Sequence, residues 1–481
     1  MPRKRKRMDD RVTLGKTLKR KDIWAFAFGC VVGWGWIMMA GMWVENAGTL
    51  GAVLAFVIGA IMTAFIGCIY AEMTPMLPLT GGVLVWSYRS GGYKFAWFTG
   101  WAICFAYLAV AAFEGPAFAT AVMYLFPIPT GPALWSVAGY DVYLTWLILS
   151  LVGSVVIMFC HYRGMELTAK LNTIAAAALL IGGVIFFGGS VTLGDIANAR
   201  PAIANGIGGI EAVMMSAPAM FIGFDVIPQA AEEMDIPLKQ IGWMVIFSIT
   251  LGAVWYIAMI TAVGFAAPIE MISDQPIPLA TAAEIVFGSK IFGFILIVAG
   301  VGGIITSWNA MFMGATRVIF SMGRAKLLPP VFAKTSKQGT PSAAILLCGL
   351  VGMIAPFFGK NAIGWFVDAS SLGTVVAYLC VAITYIHLRK KEPNLERPLK
   401  MKAPMLLGVL GCLACIFFIC LYLPFGASAL GIHEWSMVIF WVVLGVILVI
   451  LNHKHKVSLR ERELLIFGEE YAREEYLKQD K

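Results

Sequence analysis

The sequence predicts an all-α integral membrane protein that crosses the bilayer twelve times. Three observations lead there. Hydrophobic residues make up 59% of the chain and charged residues 13%, against about 25% charged in soluble globular domains. Charge is gathered into short segments between apolar stretches of the length a bilayer requires, about 20 residues. Two of those stretches, far apart in the chain, are broken near their middles by glycine or proline. Broken helices expose backbone N–H and C=O groups at mid-membrane depth, where they hold ligands and ions.

The first span, 23–44, is broken at Gly33-Trp34-Gly35-Trp36. Unbroken apolar runs at 51–72, 95–125, 142–160 and 167–188 give spans two to five, the third long enough to tilt. The sixth, 207–231, is broken at Phe221-Ile222-Gly223-Phe224-Asp225 and at Pro228. Spans seven to twelve fall at 241–266, 280–319, 342–358, 362–388, 404–423 and 435–452. Spans 1–5 and 6–10 then form two units that each open with a broken helix. Five is odd, so the second unit enters from the opposite side, a 5+5 inverted repeat with two C-terminal helices after it.

Loop charge fixes the orientation. Lys and Arg gather at Arg3–Lys21, Arg89, Lys94, Arg163, Lys170, Lys239, Arg324–Lys337 and Arg389–Lys402, and the tail from Lys454 is basic again. The alternate loops hold Arg200, Lys290 and Lys360. The positive-inside rule then places both termini in the cytoplasm, in a plasma-membrane protein. The organisation is a basic N-terminus (1–22), a core (23–398), two further spans (399–452) and a charged tail (453–481). The tail reads as a helix lying on the bilayer or free in solvent. The run Arg3–Arg7 next to a span is a topology signal, and no nucleic-acid partner is expected. Trp24 and Trp43 lie near span ends and read as interfacial anchors.

No enzymatic constellation appears. His161, His387, His433, His453 and His455 fall at span ends or loops, away from mid-membrane Ser, Asp or Glu. Cys412 and Cys415 form a C-x-x-C inside an apolar span and read as small hydrophobes. No cofactor is expected.

Several segments, in order, resemble the amino acid–polyamine–organocation superfamily. They are Tyr70-Ala71-Glu72-Met73-Thr74-Pro75 through Gly81-Gly82, Phe224-Asp225 with Ala231-Glu232-Glu233, Arg317 with Met322-Gly323-Arg324, and Ser371-Leu372-Gly373-Thr374 through Arg397-Pro398. The resemblance implies a leucine-transporter-type fold and alternating access for a small amino acid or related amine. A polyamine or other organic cation is the alternative within the class, an ion-independent exchanger another, and a membrane nutrient sensor the alternative from a different class. In the family the span-1 break binds a carboxylate through its amides, which here assigns Gly33 and Gly35, with bulky Trp34 between them.

Glu114 stands in span 3, where a carboxylate costs at least about 2.5 kcal/mol. It either binds a substrate amine or proton, or hydrogen-bonds broken backbone. Trp34 and Trp36 flank the break and can hold an ammonium through cation–π contacts. Phe221 and Phe224 are candidate lid aromatics, and Asp225 is either a ligand or a helix cap. Proton-coupled relatives carry a span-5 lysine where this chain has Leu179. Sodium-coupled relatives pair two span-8 hydroxyls, here Thr306 and Ser307, with carbonyls that correspond to Gly29, Val32 and Gly303. Na⁺ is therefore the expected coupling ion, since a hard cation takes an all-oxygen cage. The alternative is that both hydroxyls bond their own helix.

Overall fold

A computed structural model describes residues 13–273, 275, 277–359, 362–426, 429–452 and 457–473. The run Arg3–Arg7, Lys360, His453, Lys454, His455 and the last residues of the tail lie outside them. The described chain is helical apart from one small hairpin, and ten of its helices are long and apolar enough to cross a membrane. Two shorter apolar helices, Pro278–Phe287 and Ser342–Phe358, lie between them.

The helix Arg20–Val32 stops at Gly33, and Gly35–Met76 begins after Trp34. At 1.5 Å per residue the 42 residues of Gly35–Met76 would extend about 63 Å, twice a hydrocarbon core. The helix bends instead at Gly48, whose φ of 72° suits glycine. The carbonyl of Ala202 closes that bend by accepting from the amides of Leu50 and Gly51. Gly82–Leu125 is likewise bent at Gly92, so the stretch expected at 95–125 starts earlier. The span expected over 280–319 is two helices, because Gly288 turns left-handed and Ser289 caps the helix Lys290–Arg324. The loop expected between 127 and 141 holds a two-stranded hairpin, Ala133–Val137 with Tyr140–Tyr143, an exception to the all-α reading.

The helices that carry the broken and charged motifs sit in the middle. In Gly206–Gln229 and Gly82–Leu125, 78% and 72% of the most apolar window is buried, against 11% in Ile432–Asn452. That last helix turns Ile439, Phe440 and Ile450 outward, as lipid contact requires. Close crossings use small residues: Gly59 abuts Ala217, and Gly182 abuts Ala299.

The tail is not a helix free in solvent: Leu459–Tyr471 docks one face on the protein. Ile466 and Phe467 are buried, and Phe467 packs under the Arg89 guanidinium. Arg89 donates to the Tyr471 carbonyl (2.5 Å), and Arg462 donates to that of Ala325 (3.2 Å). Replacing Phe467 with Asp is expected to remove about 2–3 kcal/mol of docking free energy and to speed trypsin cleavage within 457–473. Cleavage at the wild-type rate would show that this contact does not hold the tail.

Candidate functional site

The first break is fixed by side chains from its own helix and from a neighbour. Gly33 has φ 48° and ψ −151°, a conformation open to glycine. Its carbonyl accepts from the Trp36 indole (3.1 Å). The Tyr256 hydroxyl is shared between the carbonyls of Val31 and Val32, 3.0 Å from each. The Gly33 amide donates to the Gly29 carbonyl (3.4 Å) and the Ile37 amide to that of Trp34 (3.0 Å), so the amides between them, at Trp34 to Trp36, are the ones placed to meet an anion.

The second break is tied down by Asp225. Its carboxylate accepts from the Gly223 amide (2.8 Å) and from the Tyr107 hydroxyl (2.7 Å). Gln229 completes this cluster by donating to the Asp225 carbonyl and to Tyr107. Gly223, at φ 128°, lies so close to the first break that a Cβ there would be 2.4 Å from the Cys30 carbonyl. Each break thus rests on the other.

Between them lies a cavity of about 690 Å³. Gly33, Trp34 and Gly35 line it from the first break, Met215, Ser216, Ala219, Met220 and Ile222 from the second, Glu114 from Gly82–Leu125, and Ser307 from Lys290–Arg324. Ser307 donates to one carboxylate oxygen of Glu114, joining two helices at the base. The other oxygen of Glu114 is buried and has no hydrogen-bond partner.

Four sequence candidates stand elsewhere. Trp36 turns away from the cavity and packs edge-on against Trp255. Phe221 packs with Phe56 and Tyr256, and Phe224 with Tyr70 and Tyr378. Asp225 neither lines the cavity nor caps the next helix; its bonds staple the second break to Tyr107. Trp43 is buried against Phe56 and donates to Ser216, so it is no interfacial anchor.

The oxygen set read as a sodium cage gathers at one helix crossing. Gly29 abuts Thr306, Gly33 abuts Ser307, and Gly303 abuts the Gly33 carbonyl. Thr306 donates to the Gly303 carbonyl of its own helix (2.9 Å), and the Ser307 oxygen lies 3.0 Å from the same carbonyl while its proton goes to Glu114. The Val32 carbonyl is turned to Tyr256. Leu179 is buried beside Gly303, where the lysine of proton-coupled relatives was expected.

The opposite end of the core is sealed by ion pairs from the motif residues. Arg317 donates to both oxygens of Glu233 (2.7 Å each), and Arg324 pairs with Glu232 (3.4 Å). Glu72 binds Arg389, Arg397 and the Tyr385 hydroxyl. The amides of Thr17 and Leu18 add the N-terminal segment by donating to the Glu233 carbonyl (3.0 Å each). The cavity therefore opens away from this layer, toward Ile363, Asp368 and Glu434.

Sequence reasoning passed over two parts of the site, the Tyr256 hydroxyl and the methionine lining, and also the acids Asp368 and Glu434 at the mouth of the cavity. Met38, Met39, Met42, Met215, Met220 and Met311 all face the cavity. Their signal was a cluster of Met beside each break, at 38–42 and 214–220. A soft thioether lining adapts to apolar ligands of varied shape.

The chain is 26% identical over 462 residues to the branched-chain amino acid permease BcaP of Bacillus subtilis (strain 168), spanning 92% of this chain and 94% of that one. It is 24% identical to the methylthioribose transporter of the same organism, over 92% of this chain and 95% of the relative. The histidine permease HisP of Lactococcus lactis is 25% identical over 80% of this chain and 82% of its own. The amino acid permease family matches residues 18–449, from the segment that seals one end to the final apolar helix, and the chain belongs to that family.

Proposed function

We propose that the chain is a secondary-active permease that carries an amino acid by alternating access. The single observation behind this is the carboxylate oxygen of Glu114 that has no hydrogen-bond partner among the described residues, in a cavity also lined by Gly33, Trp34 and Gly35 of the first break. An α-amino group at Glu114 and an α-carboxylate at Gly33–Gly35 satisfy both at once. Trp34 walls the same pocket, and the methionines receive the side chain. Relatives named for branched-chain amino acids, histidine and methylthioribose fit a cavity of adaptable lining.

In this reading Gly48 divides Arg20–Met76 into two crossings, and Ser342–Phe358 adds one to the ten long helices, making twelve. Spans 1–5 and 6–10 form the inverted repeat. The sealed end, rich in Arg, faces the cytoplasm with both termini, and the protein resides in the plasma membrane. The structure then corresponds to an outward-facing state.

Na⁺ coupling is part of the proposal. Gly29, Gly303, Thr306 and Ser307 supply the oxygen cage, and the Gly33 carbonyl stands in for Val32, which faces Tyr256. Counterflow of radiolabelled L-leucine and L-histidine in proteoliposomes tests the permease reading, and absence of counterflow for amino acids generally would reject it. Replacing Na⁺ with choline is expected to cut uptake at least about tenfold, the effect of roughly 1.4 kcal/mol of lost coupling. Undiminished uptake would remove the sodium site, and stimulation by an inward proton gradient would transfer coupling to Glu114.

A further inference from the structure

The mouth of the cavity carries two acids that the binding of an α-amino acid leaves unused. We infer that Asp368 and Glu434 form an outer cation subsite, which takes the side-chain ammonium or guanidinium of a cationic amino acid seated at Glu114. The inference rests on the permease reading and narrows its substrate class.

Glu434 carries most of the argument. It lies in the first turn of Ile432–Asn452, lines the cavity and is 8% exposed. Its carboxylate has no hydrogen-bond or ion-pair partner among the described residues. A helix N-terminus favours a negative charge there, yet a buried carboxylate without a partner remains costly. Asp368 comes from Ala362–Lys391, is exposed and lines the same cavity. Two like charges facing one cavity oppose each other until a cation enters.

The rest of the lining gives them no counter-charge. Glu114, Asp368 and Glu434 line the cavity, and none of the described lining residues is Lys, Arg or His. His433, next to Glu434, stacks on Trp365 and is not among them. A cavity with one sign of charge and low-dielectric walls concentrates the opposite ion. Apart from the acids and a few hydroxyls such as those of Ser216 and Ser371, the lining is largely apolar, with Met38, Met42 and Val367 among its residues. The methylene stem of lysine or arginine suits such a passage while its charged head reaches the acids.

The test compares L-lysine with L-leucine in proteoliposome uptake by wild type, Asp368→Asn and Glu434→Gln. Both probes share the α-groups read at the base and differ at the far end. Each variant is expected to raise the KM for lysine roughly tenfold, the scale for losing one partly desolvated charge partner, and to leave leucine kinetics unchanged. An unchanged lysine-to-leucine ratio in both variants would overturn the outer subsite, and so would an equal loss for both probes. Failure of the base reading looks different: Glu114→Gln would then handle leucine as the wild type does. Uptake of neither probe by the wild type would overturn the permease reading and this inference with it.

Discussion

Replacing Glu114 with glutamine is expected to reduce amino acid uptake about 100-fold, the effect of removing one charged partner from a desolvated contact. Expression and melting temperature should stay near wild type. The amide oxygen of glutamine can still accept from Ser307, so the link between the two helices survives. The change falls on the second oxygen, which has no hydrogen-bond partner among the described residues. An NH2 group placed there presents donors to an ammonium that needs an acceptor. The variant also removes a membrane carboxylate that costs at least about 2.5 kcal/mol to insert, so lost uptake could not be blamed on lost stability. Initial-rate uptake, read beside a thermal melt, checks both halves. Wild-type kinetics would take Glu114 out of the site and leave it a structural acceptor for Ser307.

The two breaks were legible because few residues do what they do. Glycines in an apolar run weaken a helix, and Gly33 and Gly223 both take backbone conformations that suit glycine. Glu114 was legible from its cost alone. Three of the four aromatic candidates for the pocket, Trp36, Phe221 and Phe224, lie outside the cavity lining for a common reason. A helix that is apolar all round gives no periodic signal of which face meets a cavity. Trp34 and Trp36 are two residues apart, so they point to different sides: Trp34 into the cavity, Trp36 onto Trp255. Phe221 and Phe224 sat beside the right break but pack into the core. Glu434 immediately precedes the span expected at 435–452 and so read as loop, whereas Asp368 stands inside the span expected at 362–388 and was passed over. The family motifs were legible as a resemblance, but their physical task was not. Glu72, Glu232, Glu233, Arg317, Arg324, Arg389 and Arg397 come from distant segments, and folding joins them as the seal. The tail followed the same rule: it read as a helix on the bilayer or free in solvent, and only the fold shows Ile466 and Phe467 buried against the protein.

The two glycines of the first break, equivalent in the sequence, are expected to differ under substitution. Gly33→Ala should abolish most uptake. An L-residue at φ 48°, ψ −151° carries strain of about 1–3 kcal/mol. The added Cβ would also stand 3.3 Å from that of Ser307, the residue that holds Glu114. Relief of the strain must rotate the Gly33 carbonyl, which accepts from Trp36 and abuts Gly303. Break, base carboxylate and proposed cation cage would move together. At Gly35, inside the following helix, a Cβ meets the thioether of Met220 at 2.6 Å. That side chain is flexible and borders the cavity, so it can swing aside. Gly35→Ala should therefore lose uptake only severalfold, by narrowing the pocket rather than by refolding the break. Binding measured by thermal shift with L-leucine separates the two, since a ligand raises the melting temperature only while its site persists. The shift should vanish in Gly33→Ala and survive, reduced, in Gly35→Ala. Equal, full shifts in both would place the carboxylate cradle away from this break, and Glu114 would then have to hold the substrate without it.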